Sequence, residues 1–118
     1  MPTYPIIRQA EHSVVVEFAP NQQQVKRHSI EMVLDYGESG EVIGIEIINL
    51  TFEAGKSCLG LISGTVPGEG DGLKFSYDED CDAFYLRLRL GRSLYQKAVQ
   101  GKVCLDSDGR MVGLEAEW

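Results

Sequence analysis

Two glutamates occupy matching places in the chain and are the residues best suited to acid–base chemistry. Glu46 lies in "VIGIEI" and Glu115 in "MVGLEA", each two residues after a glycine. Two carboxylates held close together raise the pKa of one of them, an arrangement used for proton transfer. Pairing of each glutamate with a cross-strand base such as Arg87 or Lys102 is the favoured interpretation. We treat Glu46 and Glu115 as candidate ligand-binding residues and assign no catalytic residue.

An acidic stretch, "DEDCDA", has the spacing of a cation-binding loop. Asp78, Asp80 and Asp82 alternate as the first oxygen ligands of a calcium loop do. The later positions do not fit, because Ala83 replaces the glycine of the sharp turn and Arg89 replaces the bidentate glutamate. Turn aspartates that accept hydrogen bonds from nearby backbone amides are the favoured interpretation. Asp82 is kept as a third candidate ligand-binding residue, and no metal or cofactor is predicted.

The remaining motifs for catalysis are incomplete. "EAGKS" ends like a phosphate-binding loop, but Leu50 stands where the first glycine is required. His12 and His28 are the only histidines, and neither has a short ligand spacing to a cysteine. No serine or cysteine lies in a recognisable nucleophile motif. These patterns favour a protein that is not an enzyme.

Length and charge limit the classes of protein to which the chain can belong. Its 118 residues, 43% hydrophobic, predict one domain over residues 1–118. The net charge of −7 repels phosphates and anionic lipids, so no nucleic-acid or membrane partner is expected, whereas a basic protein would be attracted. Cys58, Cys81 and Cys104 form no CxxC pair, and no signal or membrane-spanning segment is evident, which predicts a cytoplasmic protein.

Short apolar runs with a period of two predict a series of β-hairpins. The clearest strand is "AFYLRLRL" at 83–90, and Ile43, Ile45 and Ile47 predict one buried strand face. A glycine at 101 suggests a bulge or a kink, and "DG" before Arg110 signals a hairpin turn.

The chain also repeats itself. "MVLDYGESGEVIGIE" near the middle matches "VCLDSDGRMVGLE" near the end, and aligning Asp35 with Asp106 gives the first copy a turn two residues longer. We assign β repeats to 4–50 and 73–118 and a glycine-rich connection to 51–72. Two thin copies must pack together to bury a core. The sequence predicts a mainly β fold of two pseudo-equivalent antiparallel meanders, as a sandwich or partly open barrel, or alternatively an α+β fold with one short helix.

The second copy resembles a known family. "YDEDCDAFYLRL" and "VCLDSDGRMVGLE" are similar to the start and end of the DUF2283 family of small bacterial and archaeal domains. The chain looks like a degenerate tandem duplication of that domain, because its first half matches only through its end and has His12 where the family has an aspartate. The resemblance implies a β-rich fold and no assigned catalytic residues. Since family members are often seen beside small toxin-like genes, it also implies a binding or neutralising role.

The leading hypothesis for function is a non-enzymatic interaction module whose partner is a basic, toxin-like protein. The alternative is a small-ligand or metal-dependent enzyme that uses Glu46 and Glu115. Exposed strand edges predict a homodimer, and Trp118 is expected to cap an apolar edge.

Overall fold

The computed structural model describes residues 5–20, 24–61 and 74–118, which form a single antiparallel sheet of eight strands. The strands are β1 (Ile6–Ala10), β2 (Ser13–Glu17), β3 (Lys26–Tyr36), β4 (Val42–Ile48), β5 (Lys74–Asp78), β6 (Ala83–Arg87), β7 (Tyr95–Leu105) and β8 (Met111–Glu117). A short helix α1 (Leu50–Ala54) and a 3-10 helix (Lys56–Leu59) follow β4. The sheet curls into a half-barrel, so the predicted mainly β fold with a partly open barrel is confirmed.

The strand order has a pseudo-two-fold symmetry. It runs β1-β2-β8-β7-β3-β4-β6-β5, and exchanging each strand with its counterpart in the other copy returns the same order reversed. The axis passes through the pair Glu31 and Gln100, the midpoints of β3 and β7, which pair over their full length. The copies interleave, because β2 pairs with β8 and β4 with β6. Each copy therefore completes the sheet of the other.

The expected difference in length between the two long hairpin turns is wrong. Tyr36 pairs with Val42 and Leu105 pairs with Met111, so the two turns are equally long. The alignment was based on the "LD" pair that occurs in both copies and was therefore wrong by two residues. In the structure Tyr36 is equivalent to Leu105, and both point into the core. The copies differ instead in the first hairpin, whose turn is longer between β5 and β6 than between β1 and β2.

The two equal turns share one backbone conformation. Gly40 has φ 81° and Gly109 has φ 78°, a region that favours glycine because it has no Cβ. In each turn an amide after the strand binds the carbonyl four residues on, at 2.9 Å from Gly37 to Glu41 and at 2.9 Å from Asp106 to Arg110. The glycine signal in "DG" correctly predicted the second hairpin.

The concave face of the sheet holds the core, and different residues close its two ends. Alternate residues point inward, and Leu50 of α1 and Cys58 of the 3-10 helix join them, both fully buried. These two helices therefore cover one mouth of the half-barrel. At the other mouth Trp118 packs against the core edge-to-face with Tyr36, at 6.1 Å between ring centroids. Trp118 therefore covers an apolar edge of the core, as the sequence predicted.

Side chains also bridge the open side of the half-barrel. The Gln9 amide on β1 donates to the carbonyl of Val42 at 3.1 Å and accepts from its N–H at 3.3 Å. Phe18, which follows β2, contacts Phe75 of β5 edge-to-face at 5.6 Å. These contacts draw the two edges of the sheet towards each other.

Two local expectations about strands need correction. The irregular pairing between β3 and β4 turns Val42 inward with Ile45 and Ile47, whereas Ile43 is buried outside the main core. The predicted bulge at Gly101 is absent, because this residue pairs regularly with its neighbours and the irregularity in β7 falls between Cys104 and Leu105. Register irregularities are set by the turn next to them, which alternation of residue types does not show.

Gly101 is instead required by close packing. A Cβ there would lie 2.8 Å from the carbonyl oxygen of Glu115 and would overlap the sulfur of Met32. We expect Gly101→Ala to lower the free energy of unfolding by about 1–3 kcal/mol, since overpacking shifts backbone and side chains. Gly91→Ala is the matched control, because its Cβ would meet nothing closer than 3.6 Å. Equal urea midpoints for the two variants would contradict this account of Gly101.

Candidate functional site

Asp82 lies at the N-terminus of α1, where it acts as a cap supplied from another part of the chain. Its carboxylate accepts bonds from the amides of Thr51 and Phe52, both at 3.0 Å, and from the Thr51 hydroxyl at 2.8 Å. The Tyr77 hydroxyl donates a fourth bond at 2.6 Å. Asn49, the residue directly before the helix, makes no side-chain capping bond. Asp82 therefore replaces the missing local cap.

The hydrogen bonds make the ionised form of Asp82 the stable one. Burial of the carboxyl acts to raise its pKa, but the bonds from Tyr77, Thr51 and Phe52 outweigh it and lower the pKa to about 2. Both carboxylate oxygens contact the chain itself, so ligand binding by Asp82 stays a prediction. What the structure shows is an anchor that joins α1 to the turn between β5 and β6.

We expect Asp82→Ala to lower the free energy of unfolding by about 1–2 kcal/mol at neutral pH, the usual range for a lost cap. Because the folded pKa lies below the ordinary value, the contribution is complete above about pH 4 and is lost as the pH falls towards 2. Chemical denaturation at pH 7 and pH 2.5 should show the difference from the unmodified protein shrinking. Exposed Asp80 gives the control variant Asp80→Ala. A difference that does not change with pH would contradict the assignment.

The other turn aspartates also bind backbone amides. Asp78 Oδ1 accepts from the amide of Asp80 at 2.9 Å, as the sequence predicted for this turn. Asp106 accepts from the amides of Asp108 and Arg110, and the Arg110 Nε donates to its second oxygen at 2.9 Å. Burial acts to raise the pKa of Asp106, but the bonds from Arg110 lower it on balance. Within the described ranges, no three His, Cys, Asp or Glu side chains are grouped to hold a metal ion.

The structure does not bring Glu46 and Glu115 together. They lie on β4 and β8, with β3 and β7 between them, so roughly 14 Å of sheet separates them at about 4.8 Å per strand spacing. Glu115 faces Lys102 in register but forms its ion pair with Arg27, at 3.0 Å. Glu46 lies opposite Tyr85 of the neighbouring strand. A shared proton between the two carboxylates therefore has no geometric basis.

A polar cluster on the outer face of the sheet was not predicted. The Tyr85 ring covers Gly44, and its hydroxyl donates to Asp35 at 2.6 Å. The Gln96 amide donates to the other oxygen of Asp35, also at 2.6 Å, so this buried carboxylate is satisfied. Burial and the bond to Asp35 raise the pKa of Tyr85. The four residues of this cluster lie on four strands, β3, β4, β6 and β7, so sequence spacing could not reveal it. The feature of the sequence that could have indicated this cluster is Gly44, because a glycine within a strand often marks a close approach of another group.

The equivalent place in the second copy is an open groove of about 300 Å³. Gly113 and Cys104 form its floor, and Val15 occupies the position equivalent to that of Tyr85 in the first copy. Arg27 and Glu17 line its sides, and burial raises the pKa of the Cys104 thiol, helped by the neighbouring Glu115 carboxylate. A second groove of about 240 Å³ continues beside Glu115 along the same strands. This outer face is the candidate binding surface of the second copy.

All three cysteines are free. Among the described residues, no helix has the length and apolar character needed to cross a bilayer. No protein-family model matches the chain, and neither a curated protein nor a solved structure matches it. The resemblance to the DUF2283 family stays a prediction.

Proposed function

We propose that the protein is a non-enzymatic interaction module that binds a basic protein through the end of the half-barrel formed by α1 and the turn between β5 and β6. The observation that carries the proposal is Phe52. Its side chain is 83% exposed on α1, the most exposed of the large hydrophobic residues in the described ranges. Exposed aromatic residues are typical anchors of protein interfaces, since they bury a large apolar area at little conformational cost.

Phe52 is held in place rather than loosely displayed. Its own amide donates to Asp82, and the bonds from Thr51 and Tyr77 fix the same carboxylate. Leu50, two residues before Phe52 on the opposite side of the helix, is fully buried in the core. A ring presented on an anchored backbone loses less freedom when it binds, which favours affinity.

Acidic side chains surround this end of the molecule. Asp78, Glu79 and Asp80 are all exposed in the turn that Asp82 ties to α1, and Glu53 follows Phe52 directly. Together with the net charge of −7, they favour a positively charged partner and would speed its association. A toxin-like partner is proposed from the family resemblance alone.

The alternative of an enzyme built on Glu46 and Glu115 required the two carboxylates to lie close together. These carboxylates lie on strands that are not neighbours, and Glu115 is already paired with Arg27. We therefore put forward no catalytic function.

Phe52→Ala should abolish capture of the basic partner while leaving folding intact. Loss of an aromatic anchor typically weakens binding by more than about 30-fold, whereas an exposed substitution changes stability by less than about 0.5 kcal/mol. The measurement is affinity capture from the native host with quantitative mass spectrometry, together with a melting curve. Leu90→Ala is the matched control, since Leu90 is 68% exposed but lies in the connection between β6 and β7.

The result for Phe52→Ala shows whether capture of a basic protein depends on this surface. A basic protein retained by the Leu90 variant and lost by the Phe52 variant would support the proposal, and its capture should weaken as salt screens the acidic turn. Recovery of the same proteins by both variants, or of acidic proteins only, would contradict it.

Homodimerisation is a separate proposal, which rests on β1 and β5 as the edge strands of the sheet. Each edge strand has only five residues, and in the described part of the chain one of its sides pairs with no other strand, so a second chain could extend it. Light scattering after gel filtration should give twice the chain mass of 13.1 kDa. A mass of one chain at micromolar concentration would contradict dimerisation.

A further inference from the structure

The pseudo-two-fold axis allows the outer faces of the two copies to be compared residue by residue. Gly44 and Gly113 are equivalent, because each lies opposite the next-to-last residue of a long strand, Asp35 and Cys104. The register then makes Val15 the counterpart of Tyr85, and Arg27 the counterpart of Gln96. The same scaffold therefore carries a filled site in one copy and an open groove in the other.

The filled site shows what shape fits above the glycine. A Cβ on Gly44 would overlap the hydroxyl oxygen of Tyr85 and lie 2.7 Å from its Cζ, so the hydroxyl end of the phenol lies directly over the glycine. At Gly113 such a Cβ would lie 3.0 Å from the backbone carbonyl oxygen of Val16, and the nearest side-chain atom is the Cβ of Cys104, at 3.7 Å. Val15 is too short to reach across, and a groove of about 300 Å³ is left. That volume is at the lower end of small-ligand sites and suits a single ring.

The polar end of the groove differs from that of the filled site in its chemistry. In the first copy the protein supplies the acceptor, Asp35, and the ring hydroxyl donates to it. In the second copy Cys104 replaces the acceptor and Arg27 replaces Gln96, so the protein supplies a guanidinium donor. Arg27 is half exposed, uses one nitrogen for Glu115 and also hydrogen-bonds the Cys104 side chain. A guanidinium has five N–H groups, so others are left available to a ligand. A ligand ring must therefore bring its own acceptor.

The two glutamates at the groove do not cancel this preference. Glu17 is buried and forms an ion pair with Arg8, and Glu115 forms one with Arg27. Each carboxylate is thus matched by an arginine, and Lys102 on the adjacent strand adds a further positive charge beside Glu115. A planar carboxylate is the group that an arginine binds best, through two parallel hydrogen bonds.

We propose that the groove above Gly113 binds a small aromatic carboxylate, with the end of its ring that bears the carboxylate over Gly113, as the hydroxyl end of the Tyr85 phenol lies over Gly44, and with the carboxylate on Arg27. This function goes beyond the interaction surface at Phe52 and uses none of its residues. The ring stacks on backbone and on the aliphatic part of Val15, and Cys104 forms the floor beneath the polar end.

Benzoate is the probe. Titration followed by two-dimensional amide NMR should shift the signals of Cys104 and Gly113, with a dissociation constant of about 1–10 mM for so small a ligand. Cyclohexanecarboxylate, which has the charge but no planar ring, should bind at least 5-fold more weakly. Benzyl alcohol, which has the ring but no charge, should bind more weakly than benzoate, and its binding should not change in the Arg27→Gln variant.

Val15→Tyr should fill the groove from within. The new ring would take the place that Tyr85 takes in the first copy, so benzoate binding should weaken at least 10-fold. Ala98→Tyr is the matched control, because Ala98 is an exposed residue near the other end of β7 and its variant should bind as the unmodified protein does. Arg27→Gln changes an exposed side chain and should weaken benzoate at least 5-fold even if the tyrosine variant fails to fold.

Two outcomes would overturn the proposal. The first is the absence of benzoate-dependent shifts at Cys104 and Gly113 up to about 50 mM, several times the upper limit of the expected dissociation constant. The second is benzoate binding that is unchanged in both Val15→Tyr and Arg27→Gln. Neither outcome affects the capture of a basic protein at Phe52, so the two proposals are tested independently.

Discussion

The pairing of β3 with β7 is the interaction on which the rest of the structure depends. These strands have eleven residues each and pair without interruption from Lys26 with Leu105 to Tyr36 with Tyr95. They join the two copies at the centre of the sheet, and all other strands are added outward from them. A single copy would leave one face of its strands in water, since isolated hairpins bury too little apolar area to be stable. The central pair therefore makes one core from two insufficient halves.

Near-symmetry then allows the two copies to diverge at their periphery. One mouth of the half-barrel is closed by α1 and the 3-10 helix, whereas the other is closed by Trp118. On the outer face, Tyr85 fills the position above Gly44, and its counterpart Val15 leaves a groove above Gly113. Changes in a few surface residues are sufficient to produce such differences, because both halves keep the same strand order around the central pair.

Much of the acidic character of the chain serves the architecture. Asp82 caps α1, Asp106 holds the turn before β8, and Asp35 binds the Tyr85 hydroxyl. Buried or partly buried carboxylates must be matched by donors, and each of these is. The side chains left for recognition are therefore those that the fold does not use, such as Phe52 and the exposed acids near it. This is why the proposed functions lie on surfaces outside the network that stabilises the chain.

The sequence by itself determined the mainly β class and the conformation of the turn at Gly109, because alternation and glycine preference are local properties of the chain. It also indicated correctly that Asp78 binds a turn amide. Only the tertiary structure decided the interleaved strand order, the equal turns and the separation of Glu46 from Glu115, since these depend on which strands pair. The same holds for the capping of α1 by Asp82 and for the groove above Gly113. Both arise from contacts between residues far apart in the chain, and residue spacing carries no record of such contacts.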